Sequence, residues 1–113
     1  MIKLNLLHCS PVPTDASPLT EQQFNALQEE LTGWKTVNIN GELRLEKTYR
    51  FKDFNQALAF TNRVGELANL EDHHPAILTE WGKVTVTWWT HKIKGLHKND
   101  FIMAARTEQL YDQ

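Results

Sequence analysis

Asn40-Gly41 constrains this chain more than any other pair of its residues. A two-residue hairpin turn that matches the twist of its strands needs positive φ at both central positions, and Asn followed by Gly adopts it at least cost. Before the pair, Trp34 to Ile39 alternates weakly. After it, Leu43, Leu45, Lys47, Tyr49 and Phe51 fall on one strand face, and Arg44, Glu46, Thr48 and Arg50 on the other. An antiparallel, half-buried strand pair is therefore predicted near 34–39 and 43–51.

The rest of the chain repeats a helix followed by a hairpin. Thr20-Glu21-Gln22-Gln23 has the form of a capping box, with Phe24, Leu27 and Leu31 at helical spacing and Gly33 as the stop. Asp53 is placed to cap a second helix. Its apolar stripe is Phe54, Ala57, Leu58, Thr61, Val64, Gly65 and Ala68, widened by Phe60 and Leu67 and ending near Leu70. Pro75 pushes His74 into an extended conformation. Two further strands are expected near 76–81 and 83–91 around Trp81-Gly82, with Val84, Val86 and Trp88 on one face and Thr85, Thr87, Trp89 and His91 on the other. A last helix from about Asn99 to Leu110 carries Phe101, Ile102, Ala105 and Leu110. The order helix-β-β-helix-β-β-helix implies an α+β domain: a four-stranded antiparallel sheet with three helices packed on one face. The opposite sheet face would meet solvent or a second copy, so a homo-oligomer is expected.

Composition narrows the function. With 113 residues and 41% hydrophobic content, one domain is expected, spanning 19–113, behind an extended arm over 1–18 that holds three of the four prolines. A formal charge of −2 offers no general attraction to nucleic acid or an anionic membrane surface. A single cysteine, Cys9, excludes an internal disulfide framework and a cysteine-rich zinc site. His8-Cys9 is read as arm surface. No apolar run approaches the roughly twenty residues of a membrane span. The patch Leu4, Leu6, Leu7 is broken by Pro11 and Pro13 and does not resemble a secretory signal, so a cytoplasmic protein is expected.

What remains is a cluster of histidines: His73, His74 and His91 flank the second hairpin. Imidazole titrates nearest neutrality, so clustered histidines are the usual material for proton transfer. A histidine-ligated metal site is disfavoured. Adjacent histidines on an extended segment point apart, and no pair stands at helical i, i+4 spacing. His97, before the last helix, is expected at the surface. Asp100 lies in that helix's first turn, where an acid suits the helix dipole whether or not it also orients a histidine.

The spaced set His73-His74-Pro75, Trp81, His91, Gly95-Leu96 and Asp100 resembles the pterin-4a-carbinolamine dehydratases. The runs 78–89 and 95–106 look like the bacterial branch that accompanies phenylalanine hydroxylase, and the resemblance spans 19 to 111. It implies loss of water from a 4a-hydroxytetrahydropterin to give the quinonoid dihydropterin, with no metal and no cofactor. By the same resemblance His73 and His91 are the acid/base pair and His74 holds the pterin. Asp72, Trp89 and Thr90 line it, and Asp100 is the distal acid. Trp34 and Trp81 are candidate pocket walls, against plainer roles in core or interface. The implied partners are a pterin, phenylalanine hydroxylase and further copies in a homodimer or homotetramer. At Asn69 the chain departs from the family's usual acid, with Glu71 near enough in sequence to replace it. An amide accepts the same hydrogen bond but cannot stabilise an imidazolium. The alternative function is non-catalytic: the same fold in animals serves as a dimerisation cofactor for a homeodomain transcription factor.

Overall fold

The structure, a computed structural model, describes residues 3–112; the outermost two residues of the expected arm and Gln113 of the expected domain lie outside that range. Helix α1 (Glu21–Gln28) starts on the capping box, the Thr20 hydroxyl accepting from the Gln23 amide and the Gln23 side chain accepting from the Thr20 amide. It is shorter than its apolar spacing suggests. After Gln28 the chain tightens, with Leu31 N–H bonding to the Gln28 carbonyl, so Leu31 joins the core from a turn.

Strands β1 (Lys35–Ile39) and β2 (Glu42–Arg50) pair antiparallel across Asn40-Gly41, whose φ values of 53° and 88° are both positive as the turn requires. Helix α2 (Phe54–Glu71) begins on the Asp53 side chain, which accepts from the Gln56 amide. Strands β3 (Ala76–Glu80) and β4 (Lys83–Trp88) form the second hairpin, and α3 (Lys98–Tyr111) ends the fold. The sheet order is β1-β2-β4-β3, all pairs antiparallel, which places β2 and β4 at the centre and the two hairpins side by side.

One face of the sheet is dry. Leu45, Tyr49, Val84, Val86 and Trp88 are buried there against Ala57, Phe60 and Val64 of α2 and Phe101 and Met103 of α3. Trp88 donates its Nε1–H to Thr107 Oγ1 at 3.1 Å, and that hydroxyl donates to the Met103 carbonyl, so the buried indole leaves no orphan donor. The α2 stripe is rotated from its expected centre. Phe60 and Leu67 are core, whereas Phe54 and Leu58 remain 43% exposed on the rim. The other sheet face is polar, with Thr48 bonded to Thr85 and Thr87 to Glu46.

The arm is not free. A single 3-10 turn at Leu4–Leu6 buries Leu4 against the core beside α3, and the following residues run across the domain.

Candidate active site

Two local chain reversals bring the histidines together. At the end of α2, Asp72 takes the left-handed conformation (φ 51°, ψ 43°), and the amides of Asp72 and His73 both bond to the Ala68 carbonyl. Such a residue ends a helix by turning the chain sharply away from its axis. His73 is thereby delivered beside β4, and Pro75 leads into β3. On the other side β4 stops at Trp88, earlier than the expected strand end at His91. Thr90 and Gly95 exchange backbone bonds (2.9 and 3.4 Å) and close a loop in which His91–Ile93 is a 3-10 turn and Lys94 is left-handed. His91 is therefore offered from a pinned loop, not from a strand face.

Between these reversals lies a cavity of about 490 Å³. His73, His74, His91, Asp72, Trp89 and Thr90 all line it, and the wall is completed by Cys9 to Val12 of the arm, Glu71, Lys92 and Asn99. An open groove of about 650 Å³ elsewhere is lined by Arg50, Phe51, Lys52, Gln56, Ala59, Arg63 and Tyr111, with no imidazole or carboxylate to move protons at neutral pH. Among the described residues no three His, Cys, Asp or Glu side chains converge in a metal-binding geometry.

Asp100 lies behind the cavity wall, not on it. It is fully buried, and both its oxygens are bonded: Oδ1 meets His73 Nε2 at 2.6 Å, while Oδ2 accepts from the Thr90 hydroxyl at 2.8 Å and the His97 amide at 2.9 Å. One carboxylate thus caps α3 and orients a histidine at once. As an acceptor it fixes the proton on His73 Nε2 and leaves Nδ1 available. The His73 ring also stacks on Trp88, centroids 5.8 Å apart and planes 8° off parallel. Only 12% of its side chain is exposed.

His74 is exposed, and its Nε2 lies 2.9 Å from Asn69 Oδ1. Glu71, expected as a substitute for an acid at position 69, is engaged elsewhere. Its carboxylate accepts from the Cys9 amide at 2.7 Å, from Arg106 at 3.1 Å and from His8 Nδ1 at 2.8 Å. Burial pushes that carboxyl up, but these hydrogen bonds and the Arg106 charge outweigh it and leave it below its ordinary value.

Three further expectations are corrected. His97 is the half-buried N-cap of α3, its Nδ1 accepting from the Asn99 amide, and burial holds it below the usual imidazole range against the pull of Asp100. Trp34 is core and Trp81 is 73% exposed at the hairpin tip; neither walls the cavity. Cys9, expected at the surface, is a cavity wall residue that burial, then Glu71 and Asp100, push up to about 12, so its thiol stays protonated. Sequence reading also missed Asn99, whose side chain brackets Ser10: Oδ1 accepts from the Ser10 amide at 3.0 Å and Nδ2 donates to its carbonyl at 2.7 Å. No local pattern signals a pairing that spans most of the chain.

Three imidazoles thus line one pocket on an α+β sheet-and-helix scaffold, and one of them is anchored on a buried carboxylate. The family profile described as pterin 4 alpha carbinolamine dehydratase matches residues 17–110. A Microcystis aeruginosa protein named as a pterin-4-alpha-carbinolamine dehydratase is 52% identical over all of this chain and 97% of its own. One of the same name from Chlorobium limicola is 54% identical over 99% of each. The chain belongs to the pterin 4 alpha carbinolamine dehydratase family, a family of hydro-lyases. Among solved structures it is similar to a Brucella melitensis protein described as a transcriptional coactivator/pterin dehydratase, with TM-score 0.75 and 29% identity over 84% of this chain and 99% of that one. The fold is also shared with a pterin dehydratase-like RuBisCO assembly factor of the alpha-carboxysome, with TM-score 0.60 and 21% identity over 71% of this chain and 90% of that one.

Proposed function

We propose that the protein dehydrates a 4a-hydroxytetrahydropterin to the quinonoid dihydropterin, with His73 and His91 dividing the two proton transfers. In that reaction the C4a–O bond breaks, a proton joins the departing oxygen to make water, and a proton leaves a ring nitrogen as the new C=N bond forms. The pterin is neither oxidised nor reduced. Two groups of near-neutral pKa on opposite sides of the ring suffice, each worth about 10²–10⁴-fold.

One observation carries the reading: three histidines share a cavity, and His73 is fixed at 2.6 Å on a fully buried acid. The Asp100–His73 pair sets the available nitrogen in advance, which is what a proton-transfer step requires. In this scheme His74 binds the pterin, while Asp72, Trp89 and Thr90 line it. Asp100 acts through His73 and Thr90. The physiological setting is cofactor recycling beside phenylalanine hydroxylase in the cytoplasm. The protein would work as a homo-oligomer, most simply a dimer joined through an edge strand, because β1 and β3 both end the sheet and Leu78 on β3 is 58% exposed. Light scattering at micromolar concentration tests that assembly, and a monomer would refute it.

The decisive assay generates the 4a-hydroxy adduct and follows its dehydration by ultraviolet absorbance with and without the protein. Acceleration that is lost in His73→Ala supports the proposal. No acceleration by well-folded protein would leave the second function, a regulatory or scaffold role. Exposed Leu70, Leu78 and Trp81 are the surface residues that favour that alternative.

A further inference from the structure

The arm crosses the candidate site, and the way it is held makes it part of that site. Each of the three segments that present a site residue also grips the arm, at a position beside that residue. Glu71, next to Asp72 and two residues before His73, accepts from the Cys9 amide at 2.7 Å. Asn99, next to Asp100, bonds both the amide and the carbonyl of Ser10. Lys92, next to His91, donates to the Val12 carbonyl at 3.1 Å. Between these anchors Cys9, Ser10, Pro11 and Val12 form one wall of the cavity that the histidines line.

We propose that Cys9–Val12 is a substrate-contacting wall that packs on the pterin ring, and that Asn99 is the positioning residue that holds it there. This rests on the pterin reading above. The chemistry of the wall suits a flat heteroaromatic face. Pro11 and Val12 are apolar, and the Cys9 thiol is uncharged at neutral pH because burial and the nearby acids hold it protonated. The amide and carbonyl of Ser10 are both taken by Asn99, and the Cys9 amide and Val12 carbonyl are taken by Glu71 and Lys92. These four bonds occupy backbone groups of the arm, and the Pro11 and Val12 side chains contribute packing. Packing on an unreacting ring face is shared by ground and transition states, so losing it raises KM and spares kcat. It also adds no group that titrates near neutrality, so the pH–rate profile should keep its shape.

Asn99→Ala removes two hydrogen bonds to the arm at once, and Cys9 reports whether the arm has left its seat. In the wild type, iodoacetamide should modify Cys9 slowly at pH 8; in Asn99→Ala the rate should rise by about tenfold or more, as the thiol regains its ordinary acidity and access. The KM for the 4a-hydroxy substrate should rise about tenfold in the same variant, with kcat within about twofold and the pH profile unmoved. Binding of 7,8-dihydrobiopterin, followed by fluorescence, should weaken in parallel and should protect Cys9 from alkylation in the wild type. Faster alkylation with KM and pterin affinity unchanged would overturn the wall. If Asn99→Ala fails to fold, Val12→Trp tests the same wall with every arm hydrogen bond retained, and an unchanged KM there is equally fatal. Wild-type protein that neither dehydrates the adduct nor binds 7,8-dihydrobiopterin would sink the pterin reading instead.

Discussion

His73 and His91 face the same cavity from opposite kinds of structure. His73 is nearly buried, stacked on Trp88 and bonded to Asp100, while His91 is exposed on a 3-10 turn held through the Thr90–Gly95 bridge and the Lys92–Val12 bond. One imidazole is preorganised by the core and the other by a closed loop. In the proposed reaction the contrast would separate two duties that a proton-transfer pair must divide. A group whose tautomer is set in advance spares the reaction a reorganisation cost, and a group near solvent can exchange its proton with water between turnovers.

The largest effects should come from the pair itself. His73→Ala and His91→Ala should each lower kcat by about 10²–10⁴-fold. Only His73→Ala should also destabilise the fold, because it leaves Asp100 Oδ1 without its partner; a buried polar group stranded this way costs about 1–3 kcal/mol. His91→Ala should stay within about 0.5 kcal/mol of wild type in urea unfolding, as exposed substitutions usually do. Equal destabilisation by both would erase the contrast.

Asp100→Asn sharpens it from behind the wall. The amide keeps one acceptor, but it turns one or more of the three donors from His73, Thr90 and His97 against an N–H. A loss of about 1–3 kcal/mol in denaturant unfolding is expected, together with a fall in kcat and little change in KM. A variant as stable and as fast as wild type would mean that the buried acid orients nothing.

A smaller effect belongs to Glu71. Its carboxyl is held below 4.5 in the folded protein, so the anion stabilises the fold above the unfolded value, and that contribution disappears as pH falls through the lower folded value. Glu71→Gln should therefore lower stability at pH 7 and flatten its decline below about pH 4.5. Parallel wild-type and variant curves of unfolding free energy against pH would contradict the Arg106 and Cys9 bonds.

The contrast also explains what could be read in advance. Asn40-Gly41, the Thr20 box and the Asp53 cap are each decided within four residues, and each forms as its residues dictate. Alternation placed Val84, Val86 and Trp88 in the core but carried β4 on to His91, because nothing in a run of alternating residues announces the Thr90–Gly95 closure. The three histidines on one cavity were legible from spacing and resemblance. Their supports were not: Ser10 meets Asn99, and Glu71 is drawn away by Arg106 and Cys9, through pairings made only once the chain has folded.

The smallest effect concerns Asn69, where the resemblance leads one to expect an acid and Glu71 is too engaged to stand in. His74 Nε2 meets Asn69 Oδ1, and the amide oxygen accepts one hydrogen bond without adding charge. Restoring the acid by Asn69→Asp puts a carboxylate beside an exposed imidazole and favours its charged form. If His74 only binds the pterin, the acidic limb of kcat/KM should move upward by up to about one pH unit, because that ratio reports the free enzyme, while the limiting kcat stays close to wild type. His74→Ala should raise KM more than it lowers kcat, and in that background Asn69→Asp should no longer move the limb. A shift that survives His74→Ala would show the new charge acting on His73 or His91 across the cavity. The site would then be one coupled group of three imidazoles, not a fixed histidine and a loop histidine with a binding residue beside them.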